Sequence, residues 1–395
     1  MKNPINPHIW KRFSESGTAS GTVLFICLIV SLIIANSSLS ESFNSFLDAR
    51  LGFENETVHL NYSVAAWIND GLMAIFFLLV GLEIKRELVE GELSTPKKAM
   101  LPILAAFGGA VVPALIYAAL NAGASTASGW GIPMATDIAF ALAVITMLGN
   151  RVPPSLKIFL AALAIADDLM AILVIAVFYS SDIDTTNLMI GGGIFLLMLV
   201  FNKLKIMSIA FYLIPGVFLW YFIHHSGIHA TIAGVLTALT LPTTPDATES
   251  PLEKLEHALV TPVNFLIIPL FALVNTNITF EVRMVDGLAS GLGMGIVLGL
   301  LIGKPLGITL ISWISVKLKI CRLPHKVSWK HIAGAGLLGG IGFTMSIFIA
   351  LLSFSDASLI SEAKFFVLTG SLLSGCLGYV LLRAGTSAHA YSPDK

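Results

Sequence analysis

Charge is scarce in this chain. Lys, Arg, Asp and Glu make up 12% of its 395 residues, about half the roughly 25% of a typical soluble domain. Hydrophobic residues reach 56% and the mean hydropathy is +0.86. So little charge excludes a soluble globular protein. The formal net charge of −1 gives no reason to expect a nucleic-acid partner. Cysteine is scarcer still. Cys27, Cys321 and Cys376 stand far apart, which excludes a disulfide framework and any thiolate metal spacing, so they read as free thiols. Nothing in the sequence asks for a cofactor.

What is present is a succession of long apolar runs. About 20 residues cross the hydrocarbon core of a bilayer, and on that basis the runs read as about twelve helices of an all-α polytopic membrane protein, near 17–35, 63–84, 99–120, 131–148, 158–179, 188–201, 209–223, 228–241, 258–275, 289–313, 332–353 and 365–382. The runs 188–201 and 228–241 are short for a crossing. Lys11 and Arg12 ahead of the first run would suit a signal peptide, but its length and the helices that follow read as a retained anchor. The whole chain, 1–395, reads as one integral membrane domain. Loop charges orient it. With the amino terminus in the cytoplasm, only Arg50, Arg283 and Lys364 of the 23 Lys and Arg fall in external segments, and Lys304 lies inside a helix. That bias predicts cytoplasmic termini and an even helix count.

Two segments interrupt the pattern. GWGIPMATDIAF (Gly129–Phe140) and GGIGFTMSIF (Gly339–Phe348) place glycines, and in the first a proline, ahead of a threonine within an apolar run. Such residues weaken a helix interior, and loose backbone at membrane depth is tolerated only where protein buries it or a cavity opens on it. Glycines that merely let helices pack closely are the plainer explanation of either segment alone. Each, however, is the middle of a three-helix group, 99–179 and 289–382, and the loop charges orient the two groups oppositely. Inverted repeats with two broken helices are therefore expected.

Within the run Ile158–Phe178 stand two adjacent aspartates, Asp167 and Asp168. A carboxylate at the bilayer centre costs about 2.5–3.5 kcal/mol on insertion scales, so an ion or proton site is the first expectation. Asp137 follows the first interruption directly, beside the hydroxyl of Thr136, at about the same depth. Neighbours on a helix project about 100° apart and do not face each other, so Asp167 and Asp168 should have different partners. Lys304, in GLLIGKPLG, is one available partner, either as a fixed ion pair that only holds helices together or as part of an exchanging site. Carboxylate oxygens suit a hard cation such as Na⁺ or Li⁺, and protons compete for the same oxygens through coupled titrations.

The chain resembles the NhaA-type sodium/proton antiporters over nearly its whole length. The resemblance rests on VGLEIKREL (80–88), GWGIPMATDIAFA (129–141), ALAIADDLMAI (162–172), HHSGIHATIAGV (224–235), GLLIGKPLGI (299–308) and GGIGFTMSIFI (339–349). Inverted repeats are a known property of that family, so here they belong to the resemblance and are not a separate finding. The resemblance implies export of cytoplasmic Na⁺ or Li⁺ against external protons, more than one proton per metal ion, inhibition at acid pH, use in sodium and pH homeostasis, a place in the bacterial inner membrane, and a homodimer. Asp137, Asp167 and Asp168 match the family's membrane aspartates, Thr136 its site threonine and Lys304 its membrane lysine. On that match Asp168 and Asp137 are the expected sodium ligands, with Asp167 also within the site and paired to Lys304 when no metal is bound.

The resemblance also makes Glu83, Arg86, Glu87, Glu256 and His257 candidates for pH sensing. The chain departs from the family here: Glu253 and Val260 stand where better-known members tend to carry Lys and His. His229, with His224 and His225 nearby, suggests local tuning or packing, because no third ligand for a metal is evident. Asp70 is a candidate cation guide or an ordinary boundary residue. FLDARLGFENETVHL (46–60) alternates well enough for a short external β-hairpin, at about 45–60, to which the resemblance assigns dimerisation. Three other functions share some of these features: a passive cation channel, an intramembrane aspartyl protease, and a sodium-coupled symporter. The protease lacks its GxGD arrangement, and no group for an organic solute is evident.

Overall fold

The computed structural model describes residues 17–55, 59–91, 93–180, 182–243 and 250–384. Residues 1–16 and 385–395, on which the placement of the termini rests, lie outside them. The protein is all-α and polytopic. Among the described residues eight helices are long and apolar enough to cross a membrane, or up to ten if each of two bent pairs is one span. Twelve crossings are not reached on this measure because Ala210–His224 and Thr231–Thr240 are short. At about 1.5 Å per residue, the 15 residues of the first fall well below a hydrocarbon core of about 30 Å.

The first bent pair joins Ala19–Ala35 to Ser40–Asp48 at 109°. Its second helix, SESFNSFLD, is too polar to continue a span. Beyond it Arg50–Leu51 pairs antiparallel with Tyr62–Ser63, and Glu54 bridges His59. The expected hairpin thus amounts to a two-residue pairing and one bridge, and its tip, 56–58, lies outside the described residues.

Two compact units interleave along the chain. One comprises Met1–Ile26, Thr95–Ala171 and Phe280–Lys395; the other comprises Cys27–Ser94 and Ile172–Thr279. In the first unit, Pro96–Leu120 packs against Gly291–Lys317 with backbones nearly touching. A Cβ on Gly307 would come within 2.0 Å of the Gly108 carbonyl oxygen, so only glycine fits. Close approach through small residues is how membrane helices gain packing energy where the hydrophobic effect is absent. The second unit is centred on Leu82, Tyr212, Leu219, Ala238 and Leu252, all fully buried. There the Lys85 ammonium donates to the Leu239 and Leu241 carbonyls at 2.7 and 2.5 Å, satisfying acceptors that the end of helix Ile232–Thr240 leaves open.

Candidate functional site

The first unit holds both interrupted helices. A tight 3-10 segment, Ala127–Met134, contains Pro133 and stops at Ala135, which is extended (φ −81°, ψ 153°). Asp137 is also extended (φ −88°, ψ 99°) and caps the next helix, Ile138–Met147, by accepting from the Phe140 N–H at 3.2 Å. Proline lacks the N–H a helix needs, and aspartate is among the best N-caps. The local sequence therefore places a carboxylate at the interruption.

The second interruption, at Gly340–Gly342, separates Trp329–Gly339 from Phe343–Ser353, with a 47° bend. Two N–H groups freed there, of Gly342 and Phe343, donate to the Ser371 hydroxyl at 3.2 and 3.1 Å. A Cβ on Gly340 would lie 2.3 Å from the Leu300 carbonyl oxygen.

These two interruptions cross and satisfy each other. The Asp137 N–H donates to the Ile341 carbonyl at 2.6 Å. The Thr136 hydroxyl donates to the Gly339 carbonyl at 2.7 Å, and the Ser346 hydroxyl to the Ile132 carbonyl at 2.6 Å. Asp137 Oδ2 accepts from both the N–H and the hydroxyl of Thr344, at 3.1 and 2.5 Å. Polar backbone in a membrane must be satisfied internally, and here each broken segment supplies what the other lacks.

Asp167 and Asp168 project from helix Pro154–Phe178, and both are buried. Lys304, fully buried, follows a wide π-helical turn, Gly299–Gly303. Its ammonium lies 2.5 Å from Asp167 Oδ2 and also donates to the Met134 carbonyl at the first interruption. The charge of Asp168 also acts on Lys304. Asp167 Oδ1 is buried and makes no close hydrogen bond among the described residues. Thr136 adjoins Asp167. Its N–H and its hydroxyl both act on the Asp167 carboxylate, the hydroxyl also reaches the Gly339 carbonyl, and the oxygen keeps lone pairs that can coordinate a cation.

Thus Asp137, Thr136, Asp167, Asp168 and Lys304 all belong to one unit. Thr344 and Ser371 complete the crossing; the sequence marks Thr344 as the threonine of its interruption without giving it a role, and does not mark Ser371. Thr344 stands in GGIGFTMSIF, and a second hydroxyl at the same depth as Thr136 was the available signal. Ser371 had none, being one serine among several in its helix.

The second unit gathers the candidate pH-sensing groups. Arg86 Nη1 lies 2.8 Å from Glu256 Oε1 and Arg86 Nη2 3.7 Å from Glu87 Oε1. Glu256 is buried, its Oε2 has no hydrogen-bond partner among the described residues, and His257, which is exposed, acts on it electrostatically. Glu83 interacts electrostatically with Glu256, Arg86 and Glu87. Elsewhere in this unit His229 Nδ1 is 2.9 Å from the Thr231 hydroxyl, and its Nε2 is 3.5 Å from Asp70 Oδ1. Burial and neighbouring His224 hold His229 down to about 4.

Irregular backbone and ionisable side chains buried together inside a polytopic membrane protein mark the class of membrane proteins that handle ions. The chain belongs to the family described as Na⁺/H⁺ antiporter 1, whose pattern matches residues 11–382. It is similar to Na⁺/H⁺ antiporter NhaA 2 of Flavobacterium johnsoniae, 60% identical over 383 residues, covering 97% of this chain and 94% of that protein. It is also similar to Na⁺/H⁺ antiporter NhaA of Flavobacterium psychrophilum, at 52% over 375 residues, with 95% and 96% covered. The protein of the same name from Bordetella parapertussis is 47% identical over 384 residues, with 95% and 96% covered.

Proposed function

We propose that this protein exchanges Na⁺ for protons across a bacterial inner membrane, and that the exchange takes place at Asp167, Asp168 and Lys304, with Thr136 and Asp137 completing the site. Family membership and the names of the relatives support sodium/proton exchange. One observation carries the choice of residues: Asp167 offers one oxygen to the Lys304 ammonium while its other oxygen, buried beside Thr136, makes no close hydrogen bond among the described residues. A buried carboxylate that is only half satisfied gains a ligand most readily from a small hard cation or a proton.

The cycle follows from competition for these oxygens. An arriving Na⁺ or Li⁺ takes carboxylate oxygens of Asp167 and Asp168, and the Thr136 oxygen adds a lone pair without giving up its hydrogen bond to Gly339. A metal ion on the second oxygen of Asp167 weakens the hold of the first on the Lys304 ammonium, which then separates from it or loses its proton. Return of protons restores the pair. Asp137, expected with Asp168 as a sodium ligand, already accepts from Thr344 and Phe140 and in this reading acts on the cation through its charge. More than one proton per metal ion makes the exchange electrogenic, worth about 2.3 kcal/mol per net charge per 100 mV.

Access alternates between the two faces through movement of inverted repeats, 99–179 and 289–382, around this site. Glu83, Arg86, Glu87, Glu256 and His257 tune the pH response, and the protein works as a homodimer with both termini in the cytoplasm, serving sodium and pH homeostasis. Everted vesicles test the exchange: Na⁺ or Li⁺ added outside vesicles with an acidified interior should release protons, K⁺ should not, and an inside potential should change the rate. Sodium uptake without counter-movement of protons would instead describe a channel.

A further inference from the structure

The segment that joins helix Gly291–Lys317 to helix Trp329–Gly339 carries Lys317, Lys319, Arg322, Lys326 and Lys330 at its ends and along its length, all exposed. No Asp or Glu occurs between Asp286 and Asp356, so no acidic residue of this stretch is interleaved with them. The loop is nevertheless pinned. Cys321 and Val327 turn inward and are buried, and the Ser155 hydroxyl donates to the His325 carbonyl at 2.6 Å. Beside the cations, Trp313, Leu318 and Ile320 are 44%, 64% and 54% exposed, and the Lys317 ammonium sits 4.5 Å from the centre of the Trp313 ring. Cations interleaved with exposed indole and aliphatic groups suit a surface that meets headgroups and acyl chains together.

The backbone supplies a second, independent observation. Helix Lys304–Lys317 ends in a Schellman motif, with the Lys319 N–H on the Val316 carbonyl and the Ile320 N–H on the Ser315 carbonyl, both at 3.0 Å. Lys319 occupies the left-handed position of that motif (φ 59°), and Lys326 is left-handed too (φ 61°). Glycine is the usual occupant, because a Cβ is disfavoured there. Both left-handed positions of the loop therefore carry a lysine where glycine would relieve strain. Strain kept at a surface position points to a use for the charge.

We propose that this loop binds acidic phospholipids of the leaflet it faces. The lipid phosphodiester accepts from Lys319, Arg322 and Lys326, and the acyl chains lie against Trp313, Leu318 and Ile320. Guanidinium groups match phosphate oxygens in a fork, and cations at a membrane surface attract anionic lipid. The exposed apolar side chains favour a lipid over a soluble phosphate, which would leave them in water. This inference rests on the membrane setting and is independent of the exchange site.

Native mass spectrometry of the full-length protein in a neutral detergent tests it, with phosphatidylglycerol and phosphatidylcholine titrated separately. Phosphatidylglycerol should bind in preference, and 1 M salt should weaken it. K319G/K326G should weaken phosphatidylglycerol on the order of 30-fold, two surface cations being lost, with a melting temperature equal to or above that of the native protein. R50Q/R283Q, which removes equal charge elsewhere, should bind like the native protein. Equal binding of the two lipids, undiminished phosphatidylglycerol binding by K319G/K326G, or equal loss in R50Q/R283Q would overturn the proposal. So would a fall in melting temperature in K319G/K326G, which would assign those lysines to packing, or soluble glycerophosphate binding as tightly as the lipid.

Discussion

Lys304 Nζ lies 2.5 Å from Asp167 Oδ2, and the two side chains are 0% and 1% exposed. Taking both charges out of water is expensive, and their attraction repays the expense only while both are present. The pair therefore makes each member a hostage of the other. Lys304→Met should destabilise the purified protein by about 3–5 kcal/mol, because it leaves a buried unpaired carboxylate, and Lys304→Met with Asp167→Asn should recover most of that loss. Thermal unfolding in detergent measures both. Two additive losses would show that the groups do not depend on each other.

Thr344 ties one interrupted helix to the other through Asp137. Thr344→Val keeps the shape and removes the hydroxyl, so about 1.5–3 kcal/mol of stability should go with a hydrogen bond to a charged group. Thr344→Ser should keep most of it. Unfolding curves of the three proteins decide the matter, and a stable valine variant would mean that the backbone N–H of Thr344 suffices.

Backbone crowding at the crossing predicts a contrast between two glycines. Gly340→Ala would put a Cβ 2.3 Å from a main-chain oxygen of Leu300, which cannot swing away, and should lower expression and melting temperature markedly. Gly192→Ala, in helix Thr185–Lys203 with nothing within 4 Å, should stabilise by roughly 0.5–1 kcal/mol through helix propensity.

His229 yields a pH prediction. Its value is held down to about 4 from 6.5, with Asp70, His224 and the Thr231 hydroxyl around it. Between those values the unfolded chain binds the proton and the folded protein does not, so the contribution of His229 to stability falls as pH drops from 6.5 toward 4, while burial of the Asp70 carboxylate beside it works in the opposite direction. The full effect is about 3 kcal/mol. In His229→Gln that part of the acid dependence should disappear; melting temperatures across this window that fall equally in both proteins would assign it to other groups.

The sequence announces the site more completely than the fold. A buried carboxylate is conspicuous against an apolar background, so Asp137, Asp167, Asp168 and Lys304 stand out from the order of residues alone, and Pro133 with its flanking glycines marks where the backbone breaks. Hydroxyls carry no such contrast. Thr344 and Ser371 act through crossing geometry, which no local pattern records. Apolarity likewise reports that a segment prefers lipid but not its direction. Ser40–Asp48 turns 109° from the preceding helix, and Ala210–His224 and Thr231–Thr240 are apolar yet shorter than a crossing, so the count of twelve is not reached by helix length.

The central claim is that sodium and protons compete at the aspartates of helix Pro154–Phe178. Asp168→Asn keeps the shape of the side chain and removes its charge and its proton. In everted vesicles with matched expression and melting temperature, the account predicts that Na⁺ and Li⁺ release protons with the native protein and that Asp168→Asn abolishes the release between pH 6.5 and 9. Sodium-driven proton release by Asp168→Asn at the native rate would contradict it.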